Sequence, residues 1–210
     1  MSEKKIRALV YFTALSAGTL LISNLAAIKL WDFFGIAVDG GIVLFPLSYI
    51  LGDLIIEFYG IRTSRNIIYA GFLVNIIAAL VFYAVIALPP FPGWEMQEAY
   101  ASVLGFSPRI ILGSLCGFLA SSLLNNYLFV KMKESNSVFG RSFIARALGS
   151  SVFAHIVDSG VFETIAFFGV LPFPEFMKQM IFAYLLGLLL ETVLSPVENI
   201  IQKKLEKVLL

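Results

Sequence analysis

Six apolar runs of roughly twenty residues each fill most of this chain, at about residues 8–28, 42–59, 67–88, 109–130, 143–170 and 176–195. A helix crossing the hydrocarbon core of a bilayer needs ~20 mostly apolar residues. Runs of that length and number leave few other ways to bury the chain. The composition agrees: 59% of the 210 residues are hydrophobic and 14% charged, against ~25% charged in an ordinary soluble domain. The expected fold is an all-α integral membrane protein, a single domain over residues 1–210 with six transmembrane helices. Breakers separate the runs: "FGIAVDGG", "YGIRTSRN", "LPPFPGWEMQE", "KMKESNSVFGR" and "LPFPE", with "SP" closing the sixth at Pro196.

Lys4, Lys5 and Arg7 precede the first run, as in a secretory signal. That run exceeds the 7–15 residues of a typical signal core, so a retained helix is expected. Orientation follows from the positive-inside rule. With the N-terminus in the cytoplasm, twelve of the fifteen Lys and Arg residues fall inside and only Lys29, Arg109 and Lys178 fall outside. Both termini are therefore expected in the cytoplasm, in a multi-pass membrane protein surrounded by lipid. Trp31 and Trp94 fall on the outer side, where amphipathic rings anchor. A net charge of +1 gives no reason to expect direct nucleic-acid binding, and the single cysteine, Cys116, excludes an internal disulfide. No internal repeat supports an inverted duplication.

Several polar residues lie at membrane depth. Asp53 and Glu57 share one face of the second run. A charge at the helix centre costs roughly 2.5–3.5 kcal/mol, so the two carboxylates must face a polar cavity, meet cations or take up a proton. For Glu57 an ion pair with Arg62 or Arg65 is an equally good account. In the fifth run Ser151, His155, Asp158 and Phe162 follow at steps of four, three and four, placing them on one stripe, with Glu163 at its rim. That pattern reads as a pocket wall, or as a His–Asp bond holding two helices. One His and one Asp do not make a metal site, and neither a metal nor a cofactor is expected. In the fourth run Ser114, Phe118, Ser121 and Asn125 share a face, with Ser122 and Asn126 beside it. Small hydroxyl residues there also let helices approach closely. Arg109 stands at the outer mouth of this run, facing Asp32, Asp39, Glu175 or an anionic group, and Asn24 and Lys29 stand at the outer end of the first. Glu191 and Glu198 flank Ser195 in the sixth run and read as facing water or Lys203.

Carboxylates, one imidazole, amides and aromatics at membrane depth suit a flat, polar, nitrogen-rich ligand, one option among several polar solutes. Three blocks give this more content: "FPLSYILGDLIIEFYG", "SPRIILGSLCGFLASSLLNNYLFVKMK" and "RALGSSVFAHIVDSGVFETIAFFG". In order and spacing they resemble the queuosine-precursor transporters of the vitamin-uptake type, over roughly the second to sixth runs. The resemblance implies a six-helix fold related to the substrate-binding components of energy-coupling-factor transporters. It also implies uptake of 7-deazaguanine bases for tRNA modification. The family's acidic motif falls on Asp53, Glu57, Tyr59 and Gly60, its Arg–Ser pattern on Arg109 and Ser114, and its amide on Asn125. The pattern of the fifth helix falls on Arg146, Ser150 and Asp158, followed by Phe162. Ser122 departs from the family pattern, where Gln or Glu is expected, and His155 departs where Gln or Asn is expected. That opens the choice of base to a larger one such as queuine.

The expected substrate-binding set is thus Asp158, His155, Asn125, Asp53, Glu57, Phe162, Arg109, Ser122 and Asn24, with no catalytic residue. Other readings stay open. The chain has no G-x-x-x-x-G-K-[ST] loop, so an energy-coupling ATPase module would be a separate partner. Ala14 and Gly18 offer a face for it, with ordinary internal packing the other account of these small residues. An intramembrane enzyme would use Asp53 and Asp158 as an acid pair sharing a proton. A scaffold would bind no ligand.

Overall fold

The computed structural model describes residues 2–105, 108–169 and 172–209, with the side chains of residues 30, 37, 45, 108–111 and 167 outside that description. The chain runs as α1 (Glu3–Ala26), β1 (Leu30–Phe33), β2 (Ile36–Asp39), α2 (Phe45–Ile86), α3 (Gln97–Leu104), α4 (Pro108–Lys133), α5 (Val138–Arg141), α6 (Phe143–Phe167) and α7 (Phe173–Leu209). Among the described residues, four stretches are long and apolar enough to cross a membrane: Glu3–Ala26, Pro46–Ile86, Leu112–Lys133 and Phe173–Leu209. The all-α membrane class is as expected, with one small hairpin added.

Three boundaries differ from the sequence reading. The second and third runs are not joined by a loop. Gly60 alone breaks α2, with φ 81° and ψ 168°, and helix resumes at once through residues 61–66. That backbone region is essentially open to glycine only, so one residue does the work expected of "YGIRTSRN". Tyr59 then donates to the Lys5 carbonyl at 2.9 Å, tying the bend to the start of α1.

The sixth helix does not stop at Pro196 but continues to Leu209. Proline removes the N–H that would serve the carbonyl of residue 192. Ser195 Oγ donates to that carbonyl instead, at 2.9 Å. Neighbouring hydroxyls can satisfy a freed carbonyl in this way within a membrane helix.

The breaker "FGIAVDGG" and the residues just before it hold an antiparallel hairpin, Leu30 opposite Asp39 and Phe33 opposite Ile36. Phe34 and Gly35 both have positive φ, 53° and 83°, as the tight two-residue turn of a twisted hairpin requires. Phe33 lies against Phe182 of α7, with ring centroids 5.5 Å apart.

The helices are arranged with apolar side chains outward. On α7, Ile181, Leu185, Leu189 and Val193 are exposed, while Gly187, Glu191, Ser195 and Glu198 on the opposite face are buried. This suits a lipid surround, where ionisable residues turn to the interior. α4 and α6 pack closely because Gly113 and Gly117 carry no side chain. A Cβ on Gly113 would lie 3.2 Å from the Phe162 carbonyl, and one on Gly117 would lie 3.1 Å from Asp158 Oδ1. This small-xxx-small spacing favours close helix approach.

Candidate functional site

Two of the cavities among the described residues carry candidate residues of α4 and α6. The smaller, of about 390 Å³, lies between the end of the hairpin, α6 and α7. Its walls include Asp39, His155, Asp158, Phe162, Glu163 and Gly187. The larger, of about 560 Å³, lies between α1, both limbs of α2, and α4, with Ser48, Tyr49, Gly52, Phe118, Ser122 and Asn125 among its walls. Tyr49 and His155 stand ring against ring at 4.3 Å, one lining each cavity.

Of the stripe read on the fifth run, His155, Asp158 and Phe162 line one cavity, while Ser151 is buried and not among its walls. Asp158 is 8% exposed, and its Oδ1 accepts from Ser121 Oγ at 3.2 Å. The bland alternative of a His155–Asp158 bond does not hold. His155 Nε2 instead meets Glu191 Oε2 on α7 at 2.7 Å. The close approach of α7 depends on Gly187, whose Cβ would lie 3.2 Å from the imidazole.

The other expected residues distribute more widely. Asn125 and Ser122 line the larger cavity, and Asn125 Nδ2 donates to Asp53 Oδ1 at 2.7 Å. Asp53 and Asp158 therefore have different partners and do not form an acid pair. Glu57 pairs with neither Arg62 nor Arg65. It meets Arg146 at 2.7 Å and Lys133 at 2.9 Å, because α6 and the end of α4 converge on this turn of α2. The Arg146 guanidinium also sits 5.2 Å from the Phe129 ring and 5.4 Å from the Phe143 ring. Asn24 accepts from Ser114 of α4 and donates to Asn75 of α2 at 2.8 Å, bridging three helical limbs. The Arg109 side chain lies outside the described residues.

Three groups were missed or misread. Glu191 and Glu198 do not face water; they are 1% and 0% exposed. Their signal was present, since Glu191, Ser195, Glu198 and Gln202 repeat the four–three–four spacing of the α6 stripe. Asp39 was read only as an ion-pair partner for Arg109. It enters the smaller cavity, with Oδ1 accepting from the Gly41 N–H at 2.9 Å. Burial pushes its carboxyl above the usual range, partly offset by backbone N–H bonds from Gly41 and Ile42. Tyr49 lies within "FPLSYILGDLIIEFYG" and lines the larger cavity.

A family model described as "Putative vitamin uptake transporter" matches residues 39–201. A protein of Bacillus subtilis (strain 168) named "Probable queuosine precursor transporter" is 26% identical over 176 residues, covering 83% of this chain and 76% of that protein. No solved structure matches the chain.

Proposed function

Because the chain belongs to the vitamin uptake transporter family, and so to multi-pass membrane proteins of transport, we propose that it imports queuosine precursors for tRNA modification. The substrates in view are 7-deazaguanine bases, the cyano or aminomethyl forms or queuine. The observation that carries this reading is the cavity that brings Asp158, His155 and Phe162 together. A deazaguanine presents an exocyclic amine and a ring N–H side by side, and one carboxylate can accept from both. Such charge-assisted bonds are roughly twice as strong as neutral ones. The imidazole of His155 meets the opposite edge of the base, and Phe162 packs on its ring. Asn125, Ser122 and Asp53, beyond the Tyr49–His155 ring pair, serve the base on its way through the larger cavity. Glu57 and Asn24, both engaged between helices, hold the frame.

In this reading α2 counts as two spans about Gly60. The six spans form a bundle akin to the substrate-binding components of energy-coupling-factor transporters, with both termini in the cytoplasm. The test is a cell unable to make queuosine precursors. Expression of this protein restores tRNA modification when a precursor is supplied at low concentration. Absent modification with every precursor, despite good membrane expression, defeats the proposal. Restoration only with a co-expressed energy-coupling ATPase module would make the chain a binding subunit.

A further inference from the structure

The polar face of α7 has no part in the binding scheme above. Glu191 and Glu198 are buried on that face, and Asp53 of α2 lies within electrostatic reach of both. Few hydrogen bonds reach these three carboxyls. Asn125 serves Asp53 Oδ1 and His155 meets Glu191 Oε2, each at 2.7 Å. Arg146 is engaged by Glu57 at 2.7 Å. Among the described residues, Asp53 Oδ2, Glu191 Oε1 and both oxygens of Glu198 have no hydrogen-bond partner. Tyr49 Oη, Asn125 Oδ1, Ser151 Oγ and Arg146 Nε are also buried without a hydrogen-bond partner, so the donors among them leave the oxygens of Glu198 unserved. An ionised carboxylate buried with no donor on either oxygen is costly and is relieved by a bound cation. No three His, Cys, Asp or Glu side chains among the described residues are placed to hold a metal ion. The cation that fits is the proton.

The cluster also lies between the two places a coupled proton must connect. His155 presents one edge to the smaller cavity beside Gly187 and its Nε2 to Glu191. One turn beyond Glu198, Gln202 lines a cleft at the Lys-rich end with Glu57, Lys133 and Arg146. The titratable and charged groups around the cluster are Tyr49 and Asp53 from α2, Arg146 and His155 from α6, and Glu191 from α7; α4 contributes the neutral Asn125. His155 links the cavity to the acids through its tautomers. With the proton on Nε2 it donates to Glu191. A base carbonyl that draws the proton to Nδ1 leaves Nε2 an acceptor, which requires a proton on Glu191.

We infer that Asp53, Glu191 and Glu198 form the proton site of this transporter, with Glu198 carrying a proton inward alongside each base. The inference rests on the transport reading above. Each cycle moves one base and one proton into the cytoplasm, and no bond in the base is made or broken.

The test uses purified full-length protein in proteoliposomes with radiolabelled 7-cyano-7-deazaguanine. Exchange of base across the membrane at equal pH reports transport alone. Net accumulation under an imposed gradient, one pH unit more acid outside, reports coupling. One-to-one coupling gives about tenfold accumulation for that gradient, with acidification of the lumen read by a trapped dye. Glu198→Gln retains exchange and loses both accumulation and acidification. Should Glu198→Gln fail to fold, the wild-type dye signal decides. Wild-type exchange without pH-driven accumulation or lumen acidification overturns the proton site and leaves the transport reading intact. Accumulation driven by a sodium gradient alone, or undiminished pH-driven accumulation in Glu198→Gln, overturns it equally. Absence of exchange defeats the transport reading and this inference with it.

Discussion

Asp158→Asn separates a ligand carboxylate from a structural one. The substitution keeps the size of the side chain and turns one acceptor oxygen into a donor. In the proposed pose that donor faces an N–H of the base, so one charge-assisted bond is lost and a mismatch replaces it. Hydrogen bonds to charged groups contribute about 1.5–3 kcal/mol, which corresponds to roughly 10–150-fold in affinity. The cost to the fold is much smaller. The only hydrogen bond to Asp158 described from another side chain comes from Ser121 at 3.2 Å, and the Asn carbonyl can accept the same hydroxyl. A neutral hydrogen bond of this sort is worth about 0.5–1.5 kcal/mol, and here the bond is retained. The expected result is a protein that purifies normally, melts within a few degrees of wild type and binds 7-cyano-7-deazaguanine at least tenfold more weakly. The assay is equilibrium binding on protein whose melting curve is recorded in the same detergent. Wild-type affinity with lowered melting would leave Asp158 only a structural role. Wild-type affinity with wild-type melting would remove it from both.

Gly60→Ala is expected to destabilise the protein by about 1–3 kcal/mol, the cost of forcing a side chain into this backbone region. A Cβ there meets no atom within 4 Å, so backbone strain is the whole effect; unchanged thermal melting would refute it. For topology, a cysteine introduced at Gly93 in the Cys116→Ser background labels with an impermeant thiol reagent from outside intact cells, and one at Ser137 does not. The reverse pattern overturns the cytoplasmic placement of both termini.

Much of the architecture was legible because lipid and backbone impose long-wavelength rules. Apolar runs of span length located every long helix, and glycine and proline marked where the chain changes direction. They did not say how. Gly60 reverses the path within one residue, whereas Pro196 changes nothing, because Ser195 supplies the bond that proline withholds. Both outcomes depend on a backbone torsion or a local hydrogen bond, which hydropathy does not encode. The hairpin was hidden for a similar reason. Its strands are four residues each, too short for alternation to stand out beside runs five times longer.

The site divides along the same line. Spacing within one helix is local, so the stripe His155, Asp158, Phe162 could be read directly and does line one cavity. Which helix a stripe faces is not local. Glu191 and Glu198 have the same spacing, yet their position near the Lys-rich end of the sequence made solvent the natural partner. The partner is instead the interior, because α7 continues as helix past Pro196 and keeps its polar face turned toward α2 and α6. The same register explains His155. On α6 it is three residues from Asp158, and the sequence made that pair the obvious bond. Across the helix interface Gly187 leaves room for the ring, and Glu191 of α7, four residues further on, takes its nitrogen. A glycine that looked like an ordinary member of an apolar run thus determines the partner of the only histidine in the chain. It thereby ties the wall of the smaller cavity to the buried acids of α7.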